Sequence, residues 1–285
     1  MEFFLLTTKH LLKDLLFKDD EDFRAAMNFV AVAAFVTGVN ILAFIHMSNH
    51  MHFVLSCPSG KVLQFINRFK TLYGRYYSRK YGKKNHLRRL SVDIKQVWIE
   101  DESLFRAIAY VQMNCVAANI CPYPYMYKWG TGSIFFNGNT PAFTLLGSMS
   151  ETKQAQLLHS NVILPQNYRV SSDGYILPES YVPVGYVESL FKKSNQYLYY
   201  LNTSSKSRAH LEKDAAPSFS DQVLVAAIRD LCRSQYRRGS YDELSDYDKS
   251  DLVRNVRRRF STDANQLCRV LGKPYDEVAR RLDSF

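Results

Sequence analysis

The chain has 285 residues, 46% of them apolar and 14% aromatic, enough to bury one large core or two to three small ones. Lysine and arginine outnumber the acids 37 to 27, and the net charge of +10 points toward an anionic partner, most simply nucleic acid. Five scattered cysteines with no C-x-x-C pair argue against a disulfide framework and a cysteine-based zinc ribbon, and fit a reducing cytoplasm.

The N-terminus lacks the basic region, apolar run and cleavage site of a signal peptide, and the apolar run 29–36 is too short to span a membrane. A soluble, cytoplasmic protein is expected. "FKDDEDFRAAMNFVAVAAFVTG" reads as a helix with acids in its first turn and Gly38 after its end. "NILAFIHM" and "HMHFVLSC" read as two strands joined at Ser48-Asn49. A helix follows over 62–81, with Phe65, Phe69, Tyr73, Tyr76 and Tyr77 near helical period. "RLSVDIKQVWIED" predicts one or two strands, and 102–119 a third helix with Leu104, Ile108, Val111 and Cys115 on one face.

Beyond residue 136 the character changes to short helical patterns and Tyr-rich loops, then to a polar, breaker-rich linker at 201–218 and a helical end. The expected anatomy is an α+β domain over 1–136, a connecting module over 137–217 and a helical domain over 218–285.

Three of the seven histidines lie between His46 and His52. In a strand, residues i and i+2 face the same side, so His50 and His52 can offer two imidazoles to one ion. Taken alone, that spacing more often means ordinary histidines. His46 shares their parity, but the intervening turn redirects it toward core or a supporting role. Tyr110 and Asn114 are i and i+4, neighbours on one helical face. Asparagine suits a helix interior poorly because its side chain competes for backbone bonds. The plain alternative is a solvated Asn114 and a Tyr110 packed by its ring.

"MSNHMHFVL" is similar to the M-P-N-H-V-H segment of the REP-associated tyrosine transposases, the single-tyrosine branch of the HUH nucleases. "AYVQMNCVAANI" resembles that family's Tyr-Ile-x-x-Asn-Pro-Val-x-Ala-Gly helix. "LFKDDEDF", "FINRFKTLYGRYYSRKYG" and "YKWGTGSIFF" fall in the family's order, so the resemblance covers residues 1–136. Ser48 stands where the family usually has proline, Cys115 replaces the proline after the asparagine, and Asn119 lies near the usual glycine.

The resemblance implies a ferredoxin-like antiparallel sheet with helices on one side. It implies that His50 and His52, with Asn114, hold Mg²⁺ or Mn²⁺, and that Tyr110 is the nucleophile that forms a 5′-phosphotyrosine. The implied activity is a metal-dependent transposase that nicks and rejoins single-stranded hairpin DNA of palindromic repeats. Related single-tyrosine enzymes work as dimers, which makes a homodimer one implied assembly. Tyr76 and Tyr77 are rival nucleophiles from position alone.

Ten basic residues and no acid lie between Lys61 and Arg89. Arg68, Lys70, Arg75, Arg79, Lys83 and Lys84 are candidates for phosphate contact, with Phe65, Phe69 and Tyr73 mostly core. Near the C-terminus, "STDANQLCRVLGKPYDEVARRL" has a helix-turn-helix layout, and Arg257, Arg258 and Arg259 precede it. Two alternatives stay open. One is a non-catalytic DNA-binding regulator that keeps the fold, the other an unrelated metal hydrolase built on His50 and His52.

Overall fold

The two apolar runs around Ser48-Asn49 form a hairpin, β2 (Asn40–Met47) and β3 (His50–Ser56), with Met47 opposite His50 and Ile45 opposite His52. The computed structural model describes residues 1–8, 11, 14–82, 91–139, 141–204 and 219–283. It adds two strands to the hairpin, β1 (Phe3–Thr8) and β4 (Val92–Val97), in the order β2-β3-β1-β4. Every neighbouring pair is antiparallel. Helix α1 (Asp20–Thr37) joins β1 to β2, and α2 (Ser59–Tyr81) joins β3 to β4. This βαββαβ order with split pairing is the ferredoxin-like topology.

Asp19 caps α1 by accepting from the Asp22 amide, and Gly38 ends it at φ +64°, where a Cβ is disfavoured. Asp22 is fully buried and held by the hydroxyls of Tyr76 and Tyr81 and by Lys80, 3.0 Å away. That network ties the start of α1 to the end of α2.

Adjacent residues of β3 point to opposite faces. Phe53 meets Phe65 and Phe69 of α2 at ring centroid distances of 5.3 and 6.0 Å, while His52 meets Tyr110 of α3 (Ser103–Gln112) at 5.2 Å. Helices therefore cover both faces of the sheet, correcting the expectation of one covered side. His46 lies on the α2 side, ringed by Phe17, Phe44, Phe53 and Phe69.

Among the described residues neither His46 nitrogen has a hydrogen-bond partner, and full burial lowers its pKa from 6.5 to about 3. The native state holds this imidazole neutral, whereas the unfolded chain protonates it below about 6.5. The His46 contribution is complete above that pH and is lost as pH falls toward 3, at ~1.4 kcal/mol per pH unit. Acid denaturation of His46→Leu should accordingly show a shallower loss of stability between pH 6 and 4 than wild type. Parallel curves would contradict the assignment.

The helix expected over 102–119 is broken. Helix α3 stops at Gln112, and α4 (Asn114–Ala117) starts after Met113. The cause is the competition anticipated for Asn114: its amide nitrogen donates to the carbonyls of Tyr110 (2.7 Å) and Val111 (3.3 Å). Asn119, near the position of the family glycine, adopts φ +55°.

The middle stretch contains β5 (Phe143–Leu145), α5 (Glu151–Leu158), β6 (Arg169–Ser171), α6 (Val184–Phe191) and α7 (Ser194–Thr203). Its buried side chains join one cluster with those of the sheet region, through Phe105 against Phe191 and Tyr200 among others. Buried Asn28 of α1 also donates to Leu157 O and accepts from the Ile176 amide. A separate cluster forms among α8 (Asp221–Ser234), α9 (Asp246–Phe260), α10 (Ala264–Leu271) and α11 (Tyr275–Asp283). Gly272, at φ +66°, turns the chain between α10 and α11, as its place in the sequence anticipates. Among the described residues no helix is long and apolar enough to cross a membrane.

Candidate active site

The parity of β3 puts the His50 and His52 rings side by side, 4.9 Å between centroids and nearly perpendicular. Two polar neighbours set their orientation. Asn49 Nδ2 donates to Leu11 O (2.9 Å), which leaves Asn49 Oδ1 facing His50 Nδ1 at 2.8 Å. That oxygen can only accept, so His50 carries its proton on Nδ1 and its lone pair on Nε2. Thr7 sits directly opposite His52 in the β1–β3 ladder, and its hydroxyl lies 3.0 Å from His52 Nδ1. Such outer partners fix the tautomer and angle of metal-binding imidazoles. The sequence reading missed both. Asn49 was visible as a neighbour of His50, but Thr7 had no local signal.

Tyr110 packs edge-on against His52, 5.2 Å between centroids at 87°. It is half-buried, and desolvation raises its hydroxyl pKa, so the phenol is neutral near neutral pH. Asn114, one turn on, shares with His50 the lining of a cavity of about 630 Å³. With its nitrogen committed to the helix carbonyls, Asn114 offers its Oδ1 as an acceptor. Among the described residues no group of three His, Cys, Asp or Glu side chains could hold a metal ion. The polar donors near one another here are the two imidazoles and, across the cavity lining shared with His50, the Asn114 amide oxygen. Imidazole and amide oxygen are donor types that would suit a weakly held divalent ion keeping several waters.

The far side of that cavity belongs to the C-terminal helices. Asp221 and Gln222 at the start of α8, with Gln266 and Arg269 of α10, line it. Asp221 accepts from Ser48 Oγ (2.6 Å), Gln266 Nε2 (3.0 Å) and Arg269 Nε (3.1 Å), and Gln222 donates to Phe17 O (2.8 Å). Ser48 immediately precedes Asn49, so the C-terminal helices grip the same turn that orients His50. A proline at 48 has no hydroxyl to donate, and this departure from the resembled motif therefore has a structural role.

Thr131 fastens α3 to the sheet. It accepts from Gln112 Nε2 and the Phe44 amide, both at 2.9 Å. The chain here lies so close to β2 that a Cβ on Gly130 would stand 2.6 Å from Phe44 O.

Residues 14–97 match the family model described as Transposase IS200 like. Over these residues, fewer than a third of the chain, the sequence is similar to the IS200-like transposases. The matched segment contains His50 and His52 and stops before Tyr110 and Asn114. No curated protein and no solved structure matches the chain.

The other candidates spread more widely over the chain. Tyr76 and Tyr77 belong to α2, which packs on the sheet face opposite His52, and the Tyr76 hydroxyl donates to Asp22 Oδ1 (3.1 Å). Arg75 and Arg79 are exposed on α2 and Arg68 is half-buried, whereas Lys70 is buried, and desolvation lowers its pKa. Lys83 and Lys84 lie outside the described residues. Arg257, Arg258 and Arg259 are exposed in the last turn of α9.

Proposed function

We propose that the chain is a single-tyrosine strand transferase of the REP-associated type, acting on single-stranded hairpin DNA. The observation that carries this reading is the edge contact of Tyr110 with His52, which joins a nucleophile to a paired-imidazole site across 58 residues of sequence. His50 and His52 through Nε2, and Asn114 through Oδ1, would hold Mg²⁺ or Mn²⁺. When bound, the ion supplies positive charge at the scissile phosphate.

Tyr110 Oη attacks phosphorus, and the bond from phosphorus to the 3′-oxygen breaks. The phenol proton ends, net, on the departing 3′-hydroxyl, and the 5′-phosphate stays on tyrosine. One phosphodiester replaces another, so the step can reverse on a second strand without an external energy source. Arg75 and Arg79, with Arg257, Arg258 and Arg259 beside the helix-turn-helix-like α10 and α11, would meet DNA phosphates.

The test is incubation of the full chain with Mn²⁺ and end-labelled hairpin oligonucleotides that carry unpaired flanks. A denaturant-resistant adduct retaining the 3′-side fragment, plus a product with a free 3′-hydroxyl, is expected. Hairpin binding without adduct across several hairpins would favour the regulator; hydrolysis without adduct would favour the hydrolase.

The Asn49 bond gives a separate prediction. Asn49→Ala removes the acceptor that sets the His50 tautomer and should weaken Mn²⁺ binding roughly 10- to 100-fold, read by calorimetry. Unchanged affinity would exclude His50 Nε2 as a ligand.

A further inference from the structure

The segment after α4 carries large side chains on the surface. Tyr123, Tyr125 and Met126 are 56%, 58% and 58% exposed, three within four residues. Single exposed apolar residues are ordinary, whereas contiguous ones mark contact surfaces. The Tyr123 and Tyr125 rings are already parallel, 8° apart with centroids separated by 5.4 Å.

The backbone beneath them is firmly held. Pro124–Met126 is one 3-10 turn in which Met126 N donates to Tyr123 O and Tyr127 N to Pro124 O. The turn rests directly on Gly132, where a Cβ would stand 2.3 Å from Pro124 O. The Tyr127 hydroxyl donates to His46 O (2.8 Å), which ties the turn to β2. Rings fixed in advance lose little freedom when another ring joins the stack.

This platform is continuous with the candidate site, because Met126 and Tyr127 line the same cavity as His50 and Asn114. Its chemistry suits a base rather than a phosphate. The nearby cation, Lys128, is engaged by Asp20 at 3.0 Å and Asp173 at 3.7 Å. Stacking on tyrosine accepts any base, since each has a π-face.

We propose that Tyr123 and Tyr125 form a base-stacking subsite for an unpaired nucleotide beside the scissile phosphate. The inference rests on the strand-transferase reading above. It adds a subsite for the unpaired flank of the hairpin, separate from contacts to the paired stem.

Two double variants of the full chain test it, Tyr123→Ala/Tyr125→Ala and Tyr123→Phe/Tyr125→Phe, by fluorescence anisotropy with hairpins that carry or lack unpaired flanks. The alanine pair should weaken flanked-hairpin binding about tenfold, while the phenylalanine pair stays within about twofold of wild type. Blunt hairpins should bind all three proteins equally. An abasic site at the stacked position should reproduce the loss in wild type and add nothing in the alanine pair.

Equal flanked-hairpin affinity for the alanine pair and wild type would overturn the subsite, as would an equal loss on blunt hairpins. If wild type still forms its covalent adduct in either case, the subsite alone fails. If wild type neither binds a flanked hairpin nor forms an adduct, the subsite and the strand-transferase reading fail together.

Discussion

Replacing Tyr110 with phenylalanine is expected to abolish the covalent protein–DNA adduct and to slow strand cleavage by at least about 10³-fold. The ring, its packing on His52 and its half-buried setting all persist without the hydroxyl. Hairpin affinity and Mn²⁺ affinity should therefore remain within about twofold of wild type, which separates loss of the nucleophile from loss of the fold. Because burial raises the phenol pKa, wild-type cleavage should also accelerate with pH across the neutral range. Retained adduct in Tyr110→Phe would move the nucleophile elsewhere.

The second large effect concerns Asp221, whose carboxylate is buried between α8, α10 and the β2–β3 turn. Asp221→Ala leaves the Arg269 guanidinium, only 21% exposed, and the Gln266 amide without this acceptor. Removing one partner of such a pair costs on the order of 2–4 kcal/mol. Ser48→Ala removes one neutral donor and should cost about 1 kcal/mol. Hydrogen exchange over 221–283 should speed markedly in Asp221→Ala and modestly in Ser48→Ala. Exchange identical to wild type in both would show that these bonds do not hold the C-terminal helices against the turn.

The parts of the site that follow from local periodicity were legible in the sequence. Alternation along β3 put His50 and His52 on one face, and the i, i+4 spacing put Tyr110 beside Asn114. The break at Met113 was not anticipated, although the backbone competition expected of an asparagine is its local cause. Lys70 illustrates the limit of charge counting. It lies one turn after buried Ile66, so helical phase carries it inward despite the surrounding basic run.

The central strand β1 was not read as a strand. "FFLLTT" is covered on both sides, and such a strand appears as an apolar run without alternation. Missing β1 also hid Thr7, whose value lies in standing opposite His52 across 45 residues. The Ser48–Asp221 contact spans 173 residues, and no local pattern anticipates a pairing of that range. What escaped were the long-range partners that orient His50 and His52, while the pairing of these two rings follows from short-range geometry.

The central claim is that His50, His52, Asn114 and Tyr110 form one strand-cleaving site, and peptide mapping of the covalent adduct tests it most directly. After digestion of the Mn²⁺-dependent adduct, mass spectrometry should find a 5′-linked nucleotide on the peptide that contains Tyr110, and the adduct should be lost in His52→Ala. A nucleotide on Tyr76 or Tyr77, or an adduct that forms unchanged in His52→Ala, would contradict the account.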